Sequence, residues 1–235
     1  NTSQLRRLKI TPAEDDADDF TLTVTGTTSE DGTTASTSES LDVVVAGVAD
    51  KPTLNTENVS GDEDTAIGLD ITAALSDTEG EILLIRISGV PEGATLSAGT
   101  DLGEGVWALS VDHLEGLTIL PASDDSADFN LTVAVTAMED GTSSATTDVF
   151  KVAVSGVADM PVLQVADATG MAQTEIPLDI SASLVDPSET LEILISGLPD
   201  GTIIRSGTSS FTATAKKDTA DISDWDLNDL VIVPS

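Results

Sequence analysis

The segment GVADKP at residues 47–52 returns as GVADMP at 156–161, 109 residues later. These six letters close a much longer echo. TPAEDDADDFTLTVTGTTSEDGTTASTSESLDVVVAGVADKPTL (11–54) lies without a gap on LPASDDSADFNLTVAVTAMEDGTSSATTDVFKVAVSGVADMPVL (120–163), with about half the positions identical. The other half of the unit repeats as well. Within EDTAIGLDITAALSDTEGEILLIRISGVPEGATLSAGT (63–100), the part from Asp64 on matches QTEIPLDISASLVDPSETLEILISGLPDGTIIRSGT (173–208), with one residue lost near Asp186. A repeat of domain length restricts the chain to a string of similar domains. One complete repeat spans 51–159; residues 1–50 are the back part of a preceding repeat, and 160–235 are the front part of a following one. The chain thus reads as a piece of a longer tandem array. The alternative is that its incomplete ends complement each other between molecules.

Within each unit the apolar period is two. FTLTV sets Phe20, Leu22 and Val24 on one face and Thr21 and Thr23 on the other. LDVVV and LEILI do the same for Leu41, Val43, Val45 and for Leu191, Ile193, Ile195. Turn signals separate the runs: Glu30-Asp31-Gly32, Glu139-Asp140-Gly141, Pro91-Glu92-Gly93 and Pro199-Asp200-Gly201. Roughly seven short strands per unit at this spacing predict an all-β chain of tandem Greek-key β-sandwiches. Helix is expected only as a turn, as in SDWDLNDL (223–230).

The 235 residues are 40% hydrophobic, with four Phe, two Trp and no Tyr, so the cores must be aliphatic. No cysteine is present, which removes disulfides and thiolate metal sites. The formal charge of -33, from 42 acidic and 9 basic residues, argues against nucleic acid or an anionic membrane as partner. It favours divalent cations or cationic partners. No apolar run approaches a membrane span.

The acids recur in register with the repeat. They are the junction aspartates Asp50 and Asp159; the clusters DDADDF (Asp15, Asp16, Asp18, Asp19) and DDSADF (Asp124, Asp125, Asp128); the loops DTEGE (Asp77, Glu79, Glu81) and DPSE (Asp186, Glu189); and the hairpin pairs Glu30-Asp31 and Glu139-Asp140. Asp62-Glu63-Asp64 follows the first junction and becomes Met171-Ala172-Gln173 in the last unit. Calcium takes six to eight oxygen ligands, which separate loops at a junction can supply without a compact motif. No EF-hand loop is present. Each acidic group also has a structural reading, as turn or strand-boundary chemistry.

The order EDTA, DTEGE, DDSADFNLTV, EDG, VADMP resembles a cadherin-like or immunoglobulin-like repeat. More narrowly, EDTAIGLDITAAL, ISGVPEGATLSAGT, LTILPASDDSADFNLTV and GVADMP look like the tandem repeats of giant bacterial surface adhesins of the RTX and biofilm type. The resemblance covers essentially the whole chain. It implies Ca²⁺ at inter-repeat junctions, with Asp16, Asp50, Asp77, Glu79 and Asp140 around the first, and Glu63, Asp125, Asp159, Asp186 and Glu189 around the second. It also implies an extracellular, cell-surface location and neighbouring repeats as partners.

An enzyme is not expected. The only histidine, His113, sits beside a short turn, and the carboxylates repeat with the unit, whereas an active site is normally unique. The leading expectation is a structural extender stiffened by calcium. The alternatives are a glycan- or protein-binding sandwich, with Trp225 the candidate aromatic and Trp107 read as core, or a subunit that assembles head to tail with identical copies.

Overall fold

The computed structural model describes residues 8–235. Strands and two short 3-10 turns are the regular elements among those residues, as the period-two patterning predicts. No helix there is long and apolar enough to cross a membrane. The chain divides into two compact units, Asn1–Ser155 and Gly156–Ser235.

The first unit begins with a hairpin of β1 (Phe20–Glu30) and β2 (Thr33–Val43). Short strands follow: β3 (Thr53–Thr56), β4 (Val59–Asp62), β5 (Ile67–Gly68), β6 (Ile71–Ala74), β7 (Ile82–Ser88), β8 (Thr95–Leu96), β9 (Thr100–Gly103), β10 (Val106–Leu109) and β11 (Thr118–Leu120). A second long hairpin, β12 (Phe129–Glu139) and β13 (Thr142–Ser155), completes it. Most of the remaining strands are two to four residues long, and glycines at positive φ, such as Gly89 (87°) after β7 and Gly103 (86°) at the end of β9, turn the chain at strand ends.

A six-stranded sheet in the order β4-β13-β12-β7-β10-β9 faces a three-stranded sheet, β5-β11-β8. Alternation decides what lies between them. Leu131, Val133, Val135 and Ala137 of β12 are fully buried, while Thr132, Ala134 and Thr136 on the opposite face are only partly covered. Ile85 and Ile87 of β7 and Val152 of β13 join them, opposed by Ile67, Leu96 and Ile119. This is the aliphatic core of a β-sandwich. Both hairpins turn on the same two residues. Asp31 and Gly32 have φ of 49° and 83°, and Asp140 and Gly141 have 43° and 82°. Two consecutive positive φ values give the primed turn that matches strand twist. The registers are also equivalent, Phe20 opposite Val43 and Phe129 opposite Val152.

The second unit holds β14 (Val162–Val165), β15 (Ile176–Pro177), β16 (Ile180–Ser183), β17 (Leu194–Ile195), β18 (Ile203–Ser206), β19 (Ser209–Thr212), β20 (Ala220–Asp221) and β21 (Val231–Val233). Its smaller core is built on Ile204, Ala220, Ile222 and Leu230. SDWDLNDL forms the expected turn: the Asp226 carboxylate accepts from the Asn228 amide at 3.0 Å and starts the 3-10 turn Leu227–Asp229. Trp225 is half-buried against this core.

Candidate cation site

The junction segment after β2 lies outside the described strands, so its amides need other acceptors. Side chains supply them. The Val45 amide donates to Asp19 Oδ1 (2.8 Å), Gly47 to Asp140 Oδ2 (3.0 Å), and Ala49 to Thr142 Oγ1 (2.7 Å). The Asp50 amide donates to Glu81 Oε1. The far end is tied down by Thr146 Oγ1, which donates to the Pro52 carbonyl at 2.7 Å. The backbone that carries Asp50 is therefore fixed by contacts from four directions.

The DTEGE loop meets it there. Asp77 Oδ1 accepts from the Glu79 amide at 2.9 Å, closing an Asx turn. Gly80 follows with φ of 82°, and Glu81 turns inward, only 9% exposed. Its Oε1 is held by the Asp50 amide, while Oε2 is buried without a hydrogen-bond partner. A buried carboxylate oxygen left in that condition is costly unless something cationic meets it.

Asp15, in a left-handed conformation (φ 57°), completes the group. One carboxylate oxygen from each of Asp15, Asp50 and Asp77 lies within 4.8 Å of the others. Ca–O bonds are about 2.3–2.6 Å, so ligands of one ion stand at most about 5 Å apart. The spacing and the all-oxygen donor set fit calcium. An open cleft of about 570 Å³, lined by Asp15, Asp50, Asp77 and Glu139, gives access. Desolvation raises the Asp15 carboxyl above its ordinary range although the residue is exposed as a whole, aided by Asp50, Asp77, Glu14 and Glu81. Glu139, 8% exposed, is likewise raised by burial and then by Asp140, Asp77, Glu81 and Asp50. The ion pairs Lys151–Asp128 and Arg205–Glu175 lie elsewhere.

Glu139 has a cradle. A Cβ at Gly47 would fall 2.0 Å from its Oε1, and one at Gly80 would fall 2.8 Å from it. Glycines from the junction and from the loop thus leave the space its carboxylate occupies.

Of the residues expected around the first junction, Asp50 and Asp77 are brought together. Asp140 lies alongside, bound to the Gly47 amide. Glu79 is exposed on the loop. Asp16 accepts from the Asp18 amide at 3.1 Å, and its neighbour Asp15 joins the group instead. Asp125 makes the same turn as Asp16, accepting from Ala127 at 3.0 Å. Glu63 is buried, its amide donating to the Ser155 carbonyl at 2.9 Å. In the second unit the Asp159 amide donates to Glu189 Oε1 at 2.5 Å, repeating the Asp50–Glu81 contact. Asp186 is buried, and both its oxygens accept from Ser188, by the amide at 2.7 Å and the hydroxyl at 2.5 Å. Those bonds hold its carboxyl below the ordinary range. Asp15, Glu81 and Glu139 were absent from the expected ligand sets; strand parity is the signal that places the two glutamates inward. His113 is exposed, and its Nδ1 accepts from the Ser110 amide at 3.2 Å.

No protein-family model matches the chain, and no curated protein sequence matches it. Among solved structures, Drosophila N-cadherin EC1-4 aligns over 93% of this chain and 50% of its own, at 14% identity and a TM-score of 0.31. Surface layer protein SbsC, domains 4-9, aligns over 91% of this chain and 31% of its own, at 13% identity and a TM-score of 0.26. The chain thus spans half the length of the first structure and less of the second.

Proposed function

We propose that the chain is an extender segment of a secreted bacterial surface adhesin, with Ca²⁺ bound at the junctions of its repeats. The observation that carries this reading is Glu81 Oε2, buried and unpartnered beside the convergent carboxylates of Asp15, Asp50 and Asp77. An ion there would replace carboxylate repulsion with coordination and lock the junction segment to the DTEGE loop. The work of such a segment is mechanical, with no catalytic step. Extracellular calcium modules bind with dissociation constants on the order of 10⁻⁴–10⁻³ M. At ~10 mM Ca²⁺ and a Kd near 0.1 mM, linkage adds about 2.7 kcal/mol, which raises Tm by roughly 5–10 °C for a unit of this size. Thermal melts in EDTA and in Ca²⁺, with Mg²⁺ as control, measure this. Superimposable melts in all three would remove the calcium reading.

A second reading, glycan binding, has one observation in its favour: a cleft of about 530 Å³ lined by Trp107, Glu92, Asp101 and Glu104. Half-buried Trp107 packs on the core and borders this cleft, which suits stacking on a sugar ring. Glycan-array binding abolished by Trp107→Ala, with the fold intact, is its expected mark; an array with no hits removes it.

A further inference from the structure

The turns after β7 and β9 enclose a cleft whose lining joins one aromatic ring to three carboxylates: Trp107, Glu92, Asp101 and Glu104. It lies wholly inside the complete repeat. On the inner face of the six-stranded sheet, Ile87 of β7 pairs with Trp107 of β10, and Trp107 pairs with Asp101 of β9. Residues directly opposite on antiparallel strands share a face, with Cβ atoms about 5 Å apart. The row therefore runs from core to water: Ile87 is sealed, Trp107 half-buried and Asp101 exposed.

Both walls are fixed by the backbone. The Ala94 amide donates to the Pro91 carbonyl at 3.1 Å, closing the turn that carries Glu92, and the Val90 amide donates to the Gly105 carbonyl at 3.2 Å. A Cβ at Gly105 would lie 2.3 Å from the Val90 carbonyl oxygen, so glycine is what lets the two turns meet this closely. The Gly103 amide donates to Asp101 Oδ1 at 2.8 Å. No basic side chain lines the cleft, and among the described residues the ion pairs lie elsewhere, at Lys151–Asp128 and Arg205–Glu175.

Unlike the junction acids, this set does not recur. Ala220 stands opposite Ile195 in the second unit, where Trp107 stands opposite Ile87 in the first. Ser209 follows the shared Gly-Thr there, in the place of Asp101. Packing of the repeat thus requires neither the ring nor the acid.

Resting on the glycan reading of this cleft, we propose that its ligand is an amino sugar, an oligosaccharide with free, protonated amines. One sugar ring lays its C–H face on Trp107, and its ammonium group sits among the carboxylates of Glu92, Asp101 and Glu104. Sugar hydroxyls can use carboxylate acceptors singly, but three carboxylates around one ring with no basic neighbour suit a ligand that brings positive charge. The indole face adds cation–π attraction. The cleft, about 530 Å³, has the size of a small-molecule site. One lysine or arginine side chain of a protein partner would leave much of it unfilled.

Calorimetric titration of the 235-residue chain tests this with a β-linked glucosamine hexamer, its N-acetylated counterpart and hexalysine. Salt at ~150 mM screens the general attraction of cations to the acidic surface. The glucosamine hexamer is expected to bind, and the acetylated one to bind about tenfold more weakly or less tightly still, as for one lost charge-assisted contact. Asp101→Asn with Glu104→Gln changes two exposed residues and keeps their oxygens. This variant should lower affinity for the glucosamine hexamer about tenfold or more and leave the weaker binding of the acetylated one unchanged. Trp107→Leu keeps an apolar side chain against the core and should weaken both. Equal or tighter binding of the acetylated hexamer overturns the amine assignment and leaves the glycan reading standing; no binding of either hexamer removes both. Hexalysine bound as tightly as the glucosamine hexamer, or glucosamine binding that Trp107→Leu leaves unchanged, also overturns the proposal.

Discussion

Gly47→Ala probes the candidate site without touching a carboxylate. The new Cβ would lie 2.0 Å from Oε1 of Glu139, 2.1 Å from Cδ and 2.7 Å from Cγ. Three consecutive side-chain atoms overlap it, so rotating the terminal carboxylate alone does not clear the methyl group. Overpacking of this kind costs about 1–3 kcal/mol, and each kcal/mol lowers Tm by roughly 2–4 °C for a unit of this size. Urea titration in EDTA isolates the packing effect from any bound cation. The decisive measurement is the cycle with Glu139→Ala. Once that side chain is gone, alanine at 47 has room, so the double variant should be more stable than the sum of the single losses by at least about 1 kcal/mol. Additivity within about 0.5 kcal/mol would refute the cradle.

Further outcomes follow from the same geometry. Glu81→Gln keeps the size of the side chain and an oxygen for the Asp50 amide but removes the charge, and should weaken Ca²⁺ binding about tenfold or more by calorimetry. In EDTA the raised Asp15 and Glu139 carboxyls bind protons more tightly folded than unfolded. Their contribution is fully present below the ordinary values of 3.8 and 4.5 and is lost as pH rises through the folded values. Mild acidification of the chelated protein should therefore raise its Tm, an effect Glu139→Gln reduces. Asp128, Asp186 and Asp221 have the opposite sign, being held low by their hydrogen bonds, so further acidification reverses the gain. Leu131→Ala should cost about 2–5 kcal/mol, whereas Leu22→Ala, the equivalent position in the β1–β2 hairpin and only half-buried, should cost far less.

The fold was legible because its signals agree at every level. The repeat gives the unit, the period of two gives the strands, and the Glu-Asp-Gly tripeptides give hairpin turns whose φ values are those of a primed turn. The site was legible only in part. Asp50 and Asp77 announce themselves by recurrence at a junction and at a loop. Asp15 could not be told from Asp16 by sequence, because which of two adjacent aspartates closes the local turn depends on the left-handed conformation at Asp15. Glu81 and Glu139 read as loop and turn acids, yet parity already placed them. Glu81 shares a face with Leu83, Ile85 and Ile87, and Glu139 shares one with Val133, Val135 and Ala137, all wholly or partly buried. An acid in phase with a buried stripe at the end of a strand points toward the end of the core, where it must find donors or a cation.

The two copies of the junction contact separate architecture from ion binding. In both, a glutamate from the loop accepts the amide of the junction aspartate: Glu81 with Asp50, Glu189 with Asp159. That bond orients the chain at a point where no strand ladder continues, so the glutamate is needed whether or not a cation arrives. What differs is the first aspartate of each loop. Asp77 gives one oxygen to its Asx turn, while Asp186 gives both of its oxygens to Ser188. A cation at Asp186 would share both oxygens with charge-assisted hydrogen bonds that already draw on their negative charge. Ser188→Ala releases the hydroxyl bond and leaves only the amide. If calcium uses the loop aspartate, this variant should bind it more tightly in the second unit, where a purely structural role for Asp186 predicts lower stability and no change in calcium affinity.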